Sequence, residues 1–266
     1  MKGVLAGLLV DAPQGGRAQG RHRGAELVRR ARRRAVGVML RERRLRFLRR
    51  ADVRPRADLQ MLGTRYGGWV VATAVLGADA VCYLAGLGTD ASFDLALIDR
   101  FGCTVHAFDP VPEAAAYAAT VHARESRFRF HPVGLWSTDA ELIFYAPEKP
   151  GWISHTAVAS LRGTPAAFTA QVRSLPSLMR ELSHDHIDVL KLSVEGAEHE
   201  ILETVLGHRL DVRQLCVEFT PPQPVDDVLA ACRRLSAAGY DLVAAPIQPW
   251  GWKCTFVRRD IPDVRS

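Results

Sequence analysis

The sequence predicts an α/β protein built on a doubly wound, mainly parallel sheet. Three observations carry this expectation. From about Asp58 onward, apolar runs of strand length alternate with helical segments. The first run, AVCYLAGL at 80–87, is nearly unbroken, as a central strand covered on both faces requires. The last two strands, YDLVAAPI and WKCTFVRR, are too close in sequence for a crossover helix between them, so they pair antiparallel.

Each element follows from its own pattern. ASFDLALIDRFG is a helix with Phe93, Leu97 and Phe101 on one stripe and Gly102 past its end. TVHAFD is a second strand. PEAAAYAATVHA is a helix opened by proline in its first turn. RFRFHPVGL reads as a third strand, with AELIFYA continuing as an edge hairpin. Residues 147–170 read as one long irregular loop, a length that is uncommon in a compact domain and often functional. The helix SLPSLMRELS, the strand IDVLKLSV, the helix AEHEILETVLG, the strand QLCVEFT and the helix VDDVLAACRRLSAAG complete the alternation before the final pair.

Charge divides the chain more sharply than periodicity does. Residues 17–56 hold sixteen arginines against Glu26, Glu42 and Asp52, a net of +13. Residues 57–266 hold eighteen basic and twenty-five acidic residues, a net of −7. The overall +6 therefore belongs to an arm, and it does not make the whole chain a nucleic-acid binder. The expected organisation is a basic arm at 1–57, disordered over 1–23 and helical over 24–50, followed by a domain at 58–266. ADVRPRAD reads as the linker. The arm reads first as a solvated helix, and alternatively as a surface for peripheral contact with acidic lipid or nucleic acid. No apolar stretch approaches the roughly 18 residues of a membrane span. The opening MKGVLAGLLV is too short, and lacks the small-residue cleavage pattern, to be read as a leader. Cys82, Cys103, Cys216, Cys232 and Cys254 are scattered among apolar neighbours, which suits a reducing cytoplasm and argues against a zinc site. No metal is expected. The oligomeric state is not encoded in any pattern of the sequence.

The chemistry starts at YLAGLGTD. Gly86, Gly88 and Ala91 satisfy G-x-G-x-x-A, and Asp109 ends the next strand about twenty residues on. This geometry serves any adenosine ligand: glycines admit the backbone, and the acid accepts hydrogen bonds from ribose hydroxyls. A nicotinamide dinucleotide would bring a pyrophosphate to the following helix, where Asp90 would repel it. S-adenosyl-L-methionine carries a sulfonium and an ammonium instead, and an acid there suits it. Asp90 reads equally well as a helix cap.

Four blocks in order, VCYLAGLGTDASFDLALIDRFGCTVHAFDP, FHPVGL, IDVLKLSVEGAEHEIL and CVEF, resemble an FkbM-type S-adenosylmethionine-dependent methyltransferase over roughly Met61 to Arg258. The resemblance implies a class I, Rossmann-like methyltransferase sheet with an antiparallel carboxy-terminal strand. It implies O-methylation of a hydroxyl on a small molecule, sugar or polyketide-like natural product. It places the cofactor on Gly86 and Gly88, its ribose on Asp109 and the adenine edge near Gly134. Lys191, Ser193, Glu195 and Gly196 match the family's Lys-x-Asp-x-Glu-Gly block, with Ser193 where Asp is usual. That change weakens any mechanism needing two acids in this block.

In DVLKLSVEG, strand alternation turns Lys191, Ser193 and Glu195 to one face. Glu195 stands at the carboxyl end of its strand, where open α/β sheets bind ligands, and Glu218 ends the next strand. Methyl transfer to an alcohol needs alignment and a place for the proton. Glu195 is expected to position or deprotonate the acceptor, with Glu218 assisting. Lys191 pairing with Glu195 or Glu218 to fix the strand ends is the structural alternative. His155, in the long loop, is a second candidate base. His184, Asp185, His186 and Asp188 read as turn residues rather than metal ligands. A nicotinamide-dependent oxidoreductase and a non-catalytic adaptor with a basic arm are the competing functions.

Overall fold

The computed structural model describes residues 38, 42, 45–147, 153–159, 165–220, 223–248 and 251–263. The arm at 1–23 and most of the expected helix at 24–50 lie outside the described residues. So do Trp152, Trp250 and much of the 147–170 segment. The chain divides into two units, Met1–Leu45 and Arg46–Ser266, and the second holds the α/β domain.

In chain order the first strands are β1 (Leu59–Leu62), β2 (Trp69–Ala72), β3 (Val81–Ala85), β4 (Thr104–Phe108), β5 (Phe128–His131), β6 (Gly134–Leu135) and β7 (Ala140–Tyr145). They continue with β8 (Ala166–Arg173), β9 (Ile187–Leu192), β10 (Val212–Phe219), β11 (Tyr240–Ala244), β12 (Ile247–Gln248) and β13 (Gly251–Arg258). The helices are α1 (Ser92–Phe101), α2 (Pro112–His122), α3 (Leu175–Glu181), α4 (Glu198–Gly207) and α5 (Val225–Ala237).

The main sheet runs β11-β13-β10-β9-β3-β4-β5, with β12 attached to β13. From β10 to β5 every neighbouring pair is parallel, and β13 is antiparallel to both β10 and β11. This is the expected doubly wound sheet with a reversed last strand. Both faces of β3 are buried: Cys82 and Leu84 enter one apolar cluster, Tyr83 and Ala85 the other. That is why its sequence shows no alternation. β9 is buried at all six positions for the same reason. Gly102 closes α1 in the left-handed region, at φ 74°, with its N–H donating to Ile98 O. Pro112 opens α2.

The chain leaves β3 toward β4 and β5 on one side, while β9 and β10 lie on the other. The order of strands therefore reverses between β3 and β9, and the crevice outside their carboxyl ends is the ligand position in such sheets. Ala85 and Leu192 are register partners, so the turns that follow them start side by side.

Several expectations are corrected. RFRFHPVGL is two strands, because Pro132 has no N–H to extend the ladder: β5 stays in the main sheet and β6 joins another. AELIFYA, as β7, pairs antiparallel with β8 in a separate three-stranded sheet ordered β6-β8-β7, not at the edge of the main one. The end of the supposed long loop is the eight-residue β8. The β1–β2 hairpin has no counterpart in the sequence reading.

Residues 46–57, assigned to the arm and linker, are tied to the domain. Phe47 is fully buried with its ring 4.7 Å from that of Trp252. Arg46 and Arg50 both pair with Asp226. Arg54 N donates to Leu242 O at 2.8 Å. Arg56 forks onto the buried Asp58 carboxylate at 2.9 and 3.1 Å and also donates to the carbonyl of Ile261 at 2.9 Å.

Candidate active site

The glycine turn after β3 is built for close approach. Gly86 has φ 81°, and a Cβ there would lie 1.9 Å from Ser193 O. Gly88 has φ 57° and faces open space except for Ile153, 3.6 Å from where its Cβ would be. The first glycine lets the turns after β3 and β9 touch, and the second leaves space beside the backbone where a side chain would stand. Asp109 directly follows β4 and is almost fully buried. Its Oδ2 accepts from Gly88 N and its Oδ1 from Val111 N, each at 2.9 Å. Burial pushes this carboxyl up, and those two N–H groups work against the shift. The Leu87 backbone adds a third bond, which leaves the carboxylate at least one lone pair for a hydroxyl donor.

Asp90 serves the fold directly. It accepts from Thr64 Oγ1 at 2.7 Å and from Ser92 N at 2.9 Å. Burial works to raise its carboxyl, but the bonds from Ser92 and Thr64 prevail and hold it below the usual range. It thus clamps the β1–β2 loop to the start of α1. Gly134 lies in β6, where a Cβ would press on Val172 at 3.1 Å, Phe144 at 3.3 Å and Pro110 at 3.4 Å. Its small size lets β6 pack beside the residue that follows Asp109.

The block after β9 differs from simple alternation. The strand ends at Leu192, and Glu195 sits in a turn with φ 52°, followed by Gly196 at φ 108°. Glu195 therefore does not share a strand face with Lys191 and Ser193; the turn delivers it to the carboxyl end of the sheet. Lys191 is buried, and its Nζ donates to the Gly86 carbonyl, not to Glu195 or Glu218. Burial lowers its ammonium, while Asp94, Glu218 and Asp109 oppose that. Lys191 thus braces the glycine turn from beneath. Ser193 Oγ donates to Glu218 Oε2 at 3.0 Å, which ties the carboxylate at the end of β10 to the same turn.

The 153–159 segment crosses this crevice. Ile153 lies beside Gly88, and Thr156 Oγ1 donates to the Glu195 carbonyl. His155 is turned away: its Nδ1 meets Ile153 O at 3.0 Å and its ring packs edge-on against Phe168. His184 contacts Tyr83 OH at 2.8 Å, and Asp188 pairs with Arg213 at 2.6 Å. Among the described residues no cluster of three His, Cys, Asp or Glu side chains could hold a metal ion. All five cysteines are free thiols. No described helix is long and apolar enough to cross a membrane.

Two buried acids escaped the sequence reading. Glu198, at the start of α4, accepts from Gly196 N at 3.2 Å and Thr220 Oγ1 at 3.1 Å, while its Oε2 has no partner among the described residues. Burial pushes it up to about 7. Asp94 on α1 is likewise buried, with Oδ1 unpartnered among the described residues, and burial raises it to about 6. An acid three residues beyond Glu195 in the first turn of a predicted helix was the available signal. It reads as ordinary first-turn chemistry until burial is known.

The residues present suit S-adenosylmethionine. Two left-handed glycines open the backbone, Asp109 offers acceptors to a ribose, and further acids border the turn. Among curated proteins, the chain is 33% identical over 125 residues to human "Probable methyltransferase-like protein 24", covering 47% of this chain and 27% of that protein. The rat protein of the same name is 32% identical over 124 residues, covering 47% and 28%. The chain thus spans little more than a quarter of the length of these relatives. Among solved structures, an rRNA methylase from Streptococcus thermophilus is 14% identical, with a TM-score of 0.41, covering 69% of this chain and 89% of that one. Aeropyrum pernix fibrillarin with bound S-adenosyl-L-methionine is 10% identical, with a TM-score of 0.42, covering 78% and 86%. The family model for the methyltransferase FkbM domain matches residues 86–242, more than half of the chain. That span begins at the first glycine of the turn and takes in Asp109, Lys191, Glu195 and Glu218: the chain belongs to the FkbM methyltransferase family, whose methyl donor is S-adenosylmethionine.

Proposed function

We propose that this methyltransferase O-methylates a hydroxyl of a small molecule, a sugar or a natural product, in the cytoplasm. The observation that supports this most is the placement of Glu195 and Glu218. Glu195 lies in the turn after β9 and Glu218 near the carboxyl end of the adjacent parallel strand β10, with Glu218 held by Ser193. When bound, S-adenosylmethionine supplies an electrophilic methyl group.

The chain's own part is alignment and proton handling. Glu195 orients the acceptor hydroxyl and takes its proton as the oxygen becomes a nucleophile. Glu218, fixed through Ser193, accepts a second hydrogen bond from the acceptor. Gly86, Gly88 and Asp109 hold the donor, and Lys191 keeps the Gly86 carbonyl in place. Ile153 and Thr156 bring the crossing segment over the crevice and reduce the access of water.

Glu195→Gln tests the reading. It keeps the shape and removes the base. S-adenosylhomocysteine release against a panel of hydroxylated acceptors should fall on the order of 10²-fold or more, with cofactor affinity unchanged. Near-normal release with intact cofactor binding removes Glu195 from the chemistry.

A further inference from the structure

The turn after β9 meets the glycine turn region at two points. The Ser193 carbonyl closes against Gly86. The Glu195 carbonyl accepts from Thr156 Oγ1, in the segment whose Ile153 lies beside Gly88. The backbone that makes the second contact is unusual: Glu195 has φ 52° and Gly196 φ 108°. A non-glycine residue in the left-handed region persists only where its surroundings hold it there.

Glu198 supplies that hold. It is fully buried in the first turn of α4, and its Oε1 accepts from Gly196 N at 3.2 Å and from Thr220 Oγ1 at 3.1 Å. One oxygen thus ties the left-handed pair to the residue that follows β10. Oε2 is buried and has no partner among the described residues. A carboxylate here would carry charge on an oxygen with neither water nor a donor. The neutral acid keeps both bonds on Oε1 and places its proton on Oε2.

The charged and titratable groups around it do not reverse that preference. β10 presents Glu218, whose charge adds to the effect of burial. Along the chain its neighbours are Glu195 on the turn and His199 on α4. The His199 Nε2 meets Gln223 Oε1 at 3.0 Å, and its ring packs 5.5 Å from that of Phe219. Lys191 and Lys253 both feel the Glu218 charge, but their ammonium groups donate to the carbonyls of Gly86 and of Tyr66 and Gly68.

From this geometry we propose that Glu198, with its proton on, is a positioning residue for the methyl donor: it locks the turn that carries Ser193 against Gly86 and Glu195 to Thr156, and its ionisation releases that lock. A buried charge beside Glu218 is relieved when the turn opens to water, and an open turn no longer backs Gly86 or anchors the segment beside Gly88. The proposal rests on the reading that the donor lies on the Gly86–Gly88 turn beside Asp109. It does not depend on the acceptor.

The test measures S-adenosylhomocysteine affinity of the full chain by calorimetry from pH 6 to pH 8.5. Burial and Glu218 push the Glu198 carboxyl up to about 7. Affinity should therefore be full on the acid side and fall at least fivefold as pH rises through neutrality. Glu198→Gln keeps an Oε1 acceptor for both donors and cannot ionise. It should hold the parent's pH 6 affinity up to pH 8.5. Asp94 and Asp109, the buried acids that act on Lys191, titrate in parent and variant alike, so the difference between the two curves isolates Glu198. Thr220→Val removes a bond that favours the charged form, so the midpoint should move to higher pH. A flat parent curve, a parent-like slope in Glu198→Gln, or a uniformly weak Glu198→Gln overturns the proposal. If Glu198→Gln does not fold, an unmoved midpoint in Thr220→Val overturns it. Asp109→Asn separates the two readings. Weakened binding in that variant together with a flat parent curve leaves the donor site standing without Glu198. Unchanged binding removes the donor site on this turn, and the proposal with it.

Discussion

The Ser193 hydroxyl donates to Glu218 Oε2 across 3.0 Å, linking the turn after β9 to the end of β10. The Ser193 carbonyl at the same time closes against Gly86. One residue thus joins the donor turn to the proposed acceptor acid. Ser193→Asp would put a second carboxyl against Glu218. Two acids at that distance share a proton, and one of them is raised strongly. The acid limb of the pH profile of kcat/KM should move up by roughly one unit or more. An unmoved limb, with cofactor binding intact, removes Glu218 from the groups that govern activity.

The two glycines of the turn should respond differently to alanine. Both have positive φ, but only Gly86 is walled in, with Ser193 O 1.9 Å from the position of its Cβ. Gly86→Ala must push the turns after β3 and β9 apart, costing roughly 3 kcal/mol or more and most of the cofactor affinity. Gly88→Ala meets only the flexible end of Ile153 and should cost about 1–2 kcal/mol for the left-handed backbone. Thermal denaturation and cofactor calorimetry on the pair would reveal equal losses if the wall were unimportant.

Stability should fall as pH rises from mildly acid to neutral. Glu198 is raised to about 7 from 4.5, and Asp94 to about 6 from 3.8. Both hold their protons more tightly in the folded chain than in the unfolded one. Their contribution is therefore full below the unfolded values and is lost as pH rises through the folded ones, up to about 3 kcal/mol each. Urea denaturation at pH 5 and pH 8 should show the decline in the parent, and Glu198→Gln and Asp94→Asn should each flatten it. A variant with the parent's slope would show that its carboxyl does not titrate in this window.

The start of the folded domain can be located by truncation. A chain beginning at Arg46 keeps Phe47 under Trp252 and Arg56 on Asp58. A chain beginning at Asp58 loses both. Phe47→Ala should cost about 3–5 kcal/mol, and Arg56→Met a similar amount by stranding a buried carboxylate. Circular dichroism and denaturation midpoints should show the longer chain cooperative and the shorter one unfolded or severely weakened. Equal stability of the two would return residues 46–57 to the arm.

Much of the fold was legible because its signals are local. β3 and β9 read as apolar runs, Gly102 and Pro112 mark helix ends, and the short link before β13 forces its reversal. The elements that were missed depend on partners far away. β8 alternates apolar and polar residues only over Phe168–Arg173, at the end of a stretch with no other strand signal, and its partners β7 and β6 are brought beside it by the fold. The β1–β2 hairpin likewise draws its order from Asp90, from Lys253 and from Gln214, whose side chain accepts from Ala72 N and donates to Ala72 O, each at 3.0 Å.

The same division holds at the site. The residue types that the proposed chemistry uses are all readable along the chain: two glycines after a buried strand, an acid after the next strand, and glutamates at or just beyond the ends of two later ones. So is the confinement of the excess positive charge to the arm. The role of each residue emerges only once the chain is folded. Lys191 is a brace under Gly86 because parallel pairing puts β3 beside β9. Asp90 is a clamp because a hairpin from earlier in the chain comes to rest on it. Glu198 and Asp94 hold protons near neutrality because packing strips them of water. Residue type and spacing are set along the chain, whereas hydrogen-bond partners and desolvation depend on which distant segments meet, and in this protein those decide the roles.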